Sequence, residues 1–226
     1  MNNVVEQQDF IMPYENIDNK EYYIERIENL KRKPLYSVLK RLIDFFASFI
    51  GILLLWVPMV IIAIIIKCSS KGPAIYSQVR LGKNGKPFKL YKFRSMVVDA
   101  EAGGAQWSKG DEDPRITKVG RFLRKTRLDE LPQLFNILSG KMSLVGPRPE
   151  REIFYNEFEK YIHGFKQRLL VKPGLTGHAQ VNGGYDLKPE EKILLDIEYI
   201  KKRSLWFDIK VLFKTVLVVF NHKGAK

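Results

Sequence analysis

The chain has 226 residues, of which 38 are Lys or Arg and 25 are Asp or Glu, giving a net charge of +13 with a single cysteine. That length builds one or two ordinary domains and excludes a large multidomain machine. At 45% hydrophobic and 28% charged the chain as a whole is not disordered, and Cys68 alone cannot make an internal disulfide, which fits a reducing compartment.

Charge is unevenly placed. Residues 1–30 hold seven acids against Lys20 and Arg26, a net of −5, so the other 196 residues carry +18. A basic body of that size wants a polyanion: nucleic acid, anionic lipid or phosphorylated substrates. The acidic preface itself predicts a short helix over Glu21–Leu30.

Phe45–Ile66 is 22 residues without a charge. As a helix at ~1.5 Å per residue it would be long enough to cross a bilayer. It begins too late for a secretory signal and no small-residue cleavage pattern follows it. Lys40 and Arg41 precede it and Lys67 and Lys71 follow it, so both flanks claim the cytoplasmic side. Pro58 inside the run removes a helical donor and presses on the carbonyl of Leu54. A helix bent at Pro58 that returns to the same face and a kinked spanning helix both satisfy these residues.

Alternation in Ile75–Arg80 and Phe88–Phe93 around Gly82-Lys83-Asn84-Gly85 predicts a β-hairpin, its glycines serving a turn and not a phosphate loop. Gly103–Pro114 reads as a polar loop. Helical patterns cover Ile116–Lys125 and Thr126–Leu138, the second stopped by Ser139-Gly140. Gly146-Pro147-Arg148-Pro149 must be rigid and extended. A helix follows over Pro189–Lys202. Another spans Leu205–Phe220, whose pattern suits a membrane interface or core packing.

Three scattered histidines and one cysteine disfavour zinc hydrolysis and Cys-His chemistry, and no G-x-S-x-G is present. What remains is a carboxylate pair amid cations. Asp129-Glu130 follows Arg121, Arg124, Lys125 and Arg127, with Thr126 as a plausible N-cap that would set both acids in a first helical turn. An ionised aspartate among arginines suits attack on phosphorus, because the cations neutralise the phosphate oxygens. Its neighbour Glu130 could hold Mg²⁺ together with phosphate oxygens. Arg148, fixed between prolines, is placed to clamp a phosphate at low entropic cost. Lys92 and Arg94 share a side of their strand.

Lys40-Arg41-Leu42-Ile43-Asp44, Tyr91-Lys92-Phe93-Arg94-Ser95-Met96, Asp113-Pro114-Arg115-Ile116-Thr117, Leu128 to Leu134, Gly146-Pro147-Arg148-Pro149, Lys172 to Gly177 and Ala179 to Gly183 occur in this order. Together they resemble the bacterial sugar transferases, the monotopic polyprenyl-phosphate phosphoglycosyl transferases, over about residues 38–220. The resemblance implies transfer of sugar 1-phosphate from a UDP-sugar to undecaprenyl phosphate with release of UMP, an opening step of exopolysaccharide, capsule or glycoconjugate assembly. It implies Asp129 as nucleophile through a phosphosugar-aspartyl intermediate and Glu130 as Mg²⁺ ligand. Lys92, Arg94, Arg124 and Arg148 become phosphate-binding residues, and Asp196 and Asp208 further acidic site residues. The residue pattern by itself does not nominate Asp208.

The implied fold is mostly helical α+β: a polar extension over 1–37, a re-entrant membrane helix over 38–67 broken at Pro58, and a catalytic domain over 68–226. That domain carries a small β-hairpin and amphipathic interfacial helices. The expected location is the cytoplasmic membrane with the catalytic domain facing the cytoplasm, with Mg²⁺ as cofactor and no nucleic acid partner. This chain has Val57 where the family usually has Ser before the proline. The short stretch ahead of the membrane segment resembles the family's minimal form. The competing reading, a tethered basic protein holding nucleic acid or a polyanionic polymer, explains the charge but gives no reason for Asp129-Glu130 among arginines.

Overall fold

A computed structural model describes residues 20–101, 113–184 and 187–220. The polar loop expected at 103–114 lies almost wholly outside them. In chain order the elements are β1 (Tyr22–Tyr23), α1 (Pro34–Ser69), β2 (Ile75–Leu81), β3 (Pro87–Phe93), α2 (Lys118–Lys125), α3 (Gln133–Leu138), β4 (Ser143–Val145), α4 (Glu152–Glu159), β5 (Ile162–His163), β6 (Gly174–Thr176), α5 (His178–Val181), α6 (Pro189–Lys202) and α7 (Leu205–Phe220). Helices dominate. The strands form three two-stranded sheets: β1 parallel to β5, β2 antiparallel to β3, and β4 parallel to β6.

The hairpin forms as expected. Tyr76 stands opposite Lys92 and Gln78 opposite Leu90, and the turn is made by Asn84 and Gly85 at φ 58° and 71°. Residues 20–33, in contrast, are not a helix. They run extended, with Tyr22, Ile24, Ile27 and Leu30 packed on the main core. β1 pairs with β5, and the Ile27 N–H donates to Gln167 Oε1 at 2.7 Å. Pairing with distant residues of the same chain satisfies the backbone that a helix would have satisfied locally, so residues 20–33 join the domain.

α1 is 36 residues long, about 54 Å at 1.5 Å per residue. The break expected at Pro58 does not interrupt it: the helix continues to Ser69. The carbonyl that Pro58 leaves without a helical partner belongs to Leu54, which is 71% exposed. On either side of the proline the helix is held by packing. Ile52 and Leu55 lie against the cluster of Phe88, Leu90, Leu134, Ile137 and Met142, and Ile62 and Ile66 join Ala74, Phe93 and Leu123.

Its two ends are tied by polar contacts. Arg41 caps α3 by donating to the carbonyls of Ile137 and Leu138, both at 2.8 Å. Buried Asp44 accepts from the Leu144 N–H at 2.9 Å and the Ser143 hydroxyl at 3.1 Å. At the far end Arg94 Nη2 donates to the Ser70 carbonyl and hydroxyl. The face turned away from the domain, including Leu53, Leu54, Trp56, Ile61 and Ile64, is exposed.

The main core gathers Phe154, Tyr155, Phe158, Ile162, Phe165, Ile193, Tyr199, Ile200 and Val211. α7 contributes Val211 to it while exposing Trp206, Ile209, Phe213, Val216 and Leu217 on its other face. Core packing and an apolar outer surface therefore coexist on one helix.

Candidate active site

The site is assembled where β3, α2 and the turn before α3 meet over α1. Thr117 caps α2, accepting from the Gly120 N–H at 2.9 Å. Gly120 permits a close approach of α2 to the segment after β3, since a Cβ there would lie 1.9 Å from the Ser95 carbonyl oxygen.

The expected helix over 126–138 is divided. Thr126 is the C-cap of α2, its hydroxyl donating to the Phe122 carbonyl at 2.8 Å, and not an N-cap. Arg127 then turns left-handed at φ 57°, a conformation costing ~1–2 kcal/mol for a non-glycine residue. Asp129 and Glu130 follow in a 3-10 turn, Leu128–Glu130, with Arg127 as its N-cap residue. The reason is local: Thr126 satisfies the end of one helix and so cannot begin another.

Both carboxylates are buried, at 6% and 8% exposure. Lys92 Nζ lies 3.0 Å from Glu130 Oε1 and 3.8 Å from Asp129 Oδ2, and Arg148 Nη2 lies 2.7 Å from Glu130 Oε1. Burial alone would raise the pKa of Glu130, but Arg148 and Lys92 outweigh it and hold this carboxyl well below the usual range. Asp129 goes the other way: burial, reinforced by the charge of Glu130, raises it despite Lys92, Arg124 and Arg148. The pKa values of two adjacent acids are thereby pushed apart, Glu130 down and Asp129 up.

Lys92, Arg94, Arg124, Asp129 and Arg148 all line one cavity of about 460 Å³, within the range of ligand pockets, roughly 300–1,000 Å³. The sequence-predicted cations thus converge. Arg94 does so differently from Lys92: it is 94% buried and its Nη2 holds Ser70, while its Nε and Nη1 have no hydrogen-bond partner among the described residues.

Asp196 and Asp208 lie elsewhere. Asp196 pairs with Arg168 at 2.7 Å, both side chains almost fully buried, and Arg168 Nη2 donates to the Arg148 carbonyl at 3.0 Å. Asp196 thus supports the segment carrying Arg148 from behind. Asp208 accepts from Lys40 at 2.8 Å, Tyr199 at 2.8 Å and Tyr36 at 3.1 Å, fastening the start of α1 to α6 and α7. Arg168 escaped the sequence reading, because in Phe165–Leu170 it stands beside Lys166 and Gln167 and has the pattern of one more surface charge.

Among the described residues no group of three His, Cys, Asp or Glu side chains could hold a metal unaided. Asp129 and Glu130 do offer two adjacent carboxylates, and Mg²⁺ is commonly held by one or two carboxylates plus substrate phosphates. The donor set fits a magnesium ion shared with a diphosphate.

The model of the family described as bacterial sugar transferase matches residues 35–222, which include all of α1 but its first residue and every residue of this site. The chain belongs to the bacterial sugar transferase family. It is 42% identical over 204 residues to a UDP-N-acetylgalactosamine-undecaprenyl-phosphate N-acetylgalactosaminephosphotransferase of Aeromonas hydrophila, with 89% of this chain covered. It is also 42% identical over 215 residues, again 89% of the chain, to a UDP-glucose:undecaprenyl-phosphate glucose-1-phosphate transferase of Escherichia coli K12. The chain spans about half the length of these two sugar transferases, 48% and 46%. A putative undecaprenyl-phosphate N-acetylgalactosaminyl 1-phosphate transferase of Bacillus subtilis is 46% identical over 154 residues, which are 67% of this chain and 86% of that one.

Proposed function

We propose that this sugar transferase moves sugar 1-phosphate from a UDP-sugar to undecaprenyl phosphate and releases UMP. The observation that carries the reading is the buried Asp129–Glu130 pair held by Lys92 and Arg148, with Asp129 lining one cavity together with Lys92, Arg94, Arg124 and Arg148. The names of the relatives agree with it.

In this reading Asp129 attacks the β-phosphorus. The bond from that phosphorus to the oxygen bridging to the α-phosphate breaks, UMP leaves, and sugar 1-phosphate remains on the carboxyl as an acyl phosphate. An oxygen of undecaprenyl phosphate then attacks the same phosphorus and returns Asp129 as carboxylate, giving undecaprenyl diphosphate sugar. Lys92, Arg94, Arg124 and Arg148 bind and neutralise the phosphates, and electrostatic stabilisation of this kind is the main lever in phosphoryl transfer. Glu130 would hold Mg²⁺ together with the substrate phosphates, and the ion would supply further charge neutralisation on the diphosphate.

The same reading makes the protein monotopic in the cytoplasmic membrane. Lys40 near one end of α1 and Ser70 just past the other are both bound to the same basic body. In this reading both fastened ends of α1 lie on the same side of the membrane, and the exposed apolar residues of α1 and α7 are the surface the bilayer would cover. Lys210 beside Trp206, 5.4 Å from its ring, is a pairing suited to the headgroup level.

Detergent-solubilised protein supplied with Mg²⁺, undecaprenyl phosphate and a panel of UDP-sugars tests this, with UMP and UDP assayed separately. UMP that disappears in Asp129→Asn is the expected result. Release of UDP, or UMP release undiminished in that variant, would overturn the mechanism.

A further inference from the structure

The cavity reaches past the phosphate-binding cations to a second polar group that the transfer mechanism leaves unused. Tyr76 and Gln78 lie on β2, Glu101 follows the hairpin, Arg151 begins the segment into α4, and all four line the cavity wall. Gln78 Nε2 donates to the Tyr76 hydroxyl at 2.8 Å and to Glu101 Oε2 at 3.4 Å, and the Tyr76 hydroxyl donates to the same oxygen at 3.3 Å. Arg151 pairs with the Glu101 carboxylate from the other side.

The hairpin register gives this group its distance from the chemistry. Tyr76 is directly opposite Lys92, the lysine that lies between Glu130 and Asp129. Cross-strand neighbours of that kind have Cβ atoms about 4.5–5.5 Å apart on one face, and Gln78 lies diagonally at roughly 7–8 Å. A phosphate held by Lys92 therefore has Tyr76 and Gln78 as neighbours along the cavity wall, and Glu101 reaches it through them. The chemistry changes along the same line. The Asp129 end is crowded with cations, whereas Tyr76, Gln78 and Glu101 offer an amide, a phenol and a carboxylate, the groups that hydrogen-bond neutral hydroxyls in pairs. Tyr76 is 41% exposed and the Glu101 side chain 34%, so both can exchange present partners for a ligand.

We infer that Tyr76, Gln78 and Glu101, with Arg151 orienting Glu101, form the subsite that binds the sugar hydroxyls of the nucleotide-sugar donor and discriminates among sugars. This rests on the proposed transfer, because it takes the β-phosphate to sit at Asp129. A site built to hydrogen-bond a hydroxyl rejects an analogue that misplaces it, since its own polar groups are then left unpaired.

The test uses Glu101→Gln and Gln78→Ala in the full chain. UMP release is measured with UDP-glucose, UDP-galactose and their 2-acetamido counterparts, alongside UMP product inhibition and a thermal melt. The expected result is a fall in kcat/KM for the preferred sugar of about 10–100-fold and a changed ranking among epimers. UMP inhibition should stay within about twofold, with folding intact. An equal fall for every UDP-sugar with weakened UMP inhibition would place the nucleoside there instead and overturn the assignment. Unchanged kinetics on all four sugars would overturn it as well. If wild-type protein released no UMP from any donor, the transfer reading would fail. The subsite would then be judged by binding alone: variants that weaken UDP-sugar binding and not UMP binding support it, and variants that weaken neither overturn it.

Discussion

Asp196→Asn separates support of the site from chemistry in it. Asp196 and Arg168 meet at 2.7 Å with side chains 1% and 3% exposed. Removing one charge of a buried pair strands the other, at a cost of about 3–5 kcal/mol. Arg168 cannot escape that cost by swinging into water. Its Nη2 is bonded to the Arg148 carbonyl, and its guanidinium lies 4.9 Å from the Phe165 ring centroid. At about 2–4 °C per kcal/mol for a domain of this size, thermal denaturation in detergent should show a fall of roughly 6–20 °C. Asp129→Asn should do the opposite. Because burial and Glu130 raise the Asp129 pKa, its ionised form costs the fold stability, so the asparagine should melt no lower than wild type while losing turnover. The reasoning is refuted if Asp196→Asn keeps its melting temperature yet loses activity, which would move Asp196 into the reacting site.

Three further outcomes follow from the same geometry. A folded-state pKa raised above the unfolded value gives stability that is present at low pH and lost as pH rises through the folded pKa. The raised Asp129 therefore predicts an acid limb of kcat/KM above the ordinary aspartate pKa of about 3.9, and Lys92→Met should push that limb higher still by removing a cation that opposes the shift. Gly146→Ala would put a Cβ 2.4 Å from the Lys172 carbonyl oxygen and 2.9 Å from the Gly174 nitrogen; crowding two backbones should cost about 1–3 kcal/mol and displace Arg148, read as a lower melting temperature with reduced UMP release. Exposed Cys68 and a cysteine introduced by Ser37→Cys should both react with an impermeant maleimide in inverted membrane vesicles and neither in spheroplasts, whereas labelling of one from each side would establish a spanning helix.

Much of this site was legible because its chemistry is concentrated in short runs. Asp129-Glu130 stood out by adjacency within a basic stretch, Arg148 by its prolines, and Lys92 by strand parity, and both cations lie within 4 Å of the carboxylate pair. Local periodicity failed where long-range contacts decide. Glu21–Leu30 has helical spacing but pairs across more than a hundred residues with β5 and Gln167. Thr126 fits an N-cap as well as a C-cap, and only the position of α2 decides between them. Asp208, nominated by resemblance alone, proves to be a fastening point for α1 through Lys40 and Tyr36, a role no local pattern encodes.

These contacts make α1 more than an anchor. It supplies Ile62 and Ile66 to one apolar cluster and lays Ile52 and Leu55 against another. The same clusters contain Phe93, next to Lys92, and Leu134, in the helix after Glu130. Burial of the two buried isoleucines alone contributes about 3–6 kcal/mol. Asp44 and Arg41 add hydrogen bonds to Leu144, Ser143, Ile137 and Leu138, each worth roughly 1 kcal/mol or more. That sum is comparable to the entire stability of an ordinary domain, about 5–15 kcal/mol. A chain beginning after Ser70 should therefore fail to fold into an active soluble enzyme, with near-ultraviolet circular dichroism lost and no UMP released. A soluble, cooperatively melting fragment that still turned over UDP-sugar would show that the carboxylate pair is positioned without its membrane helix, and would separate anchoring from catalysis.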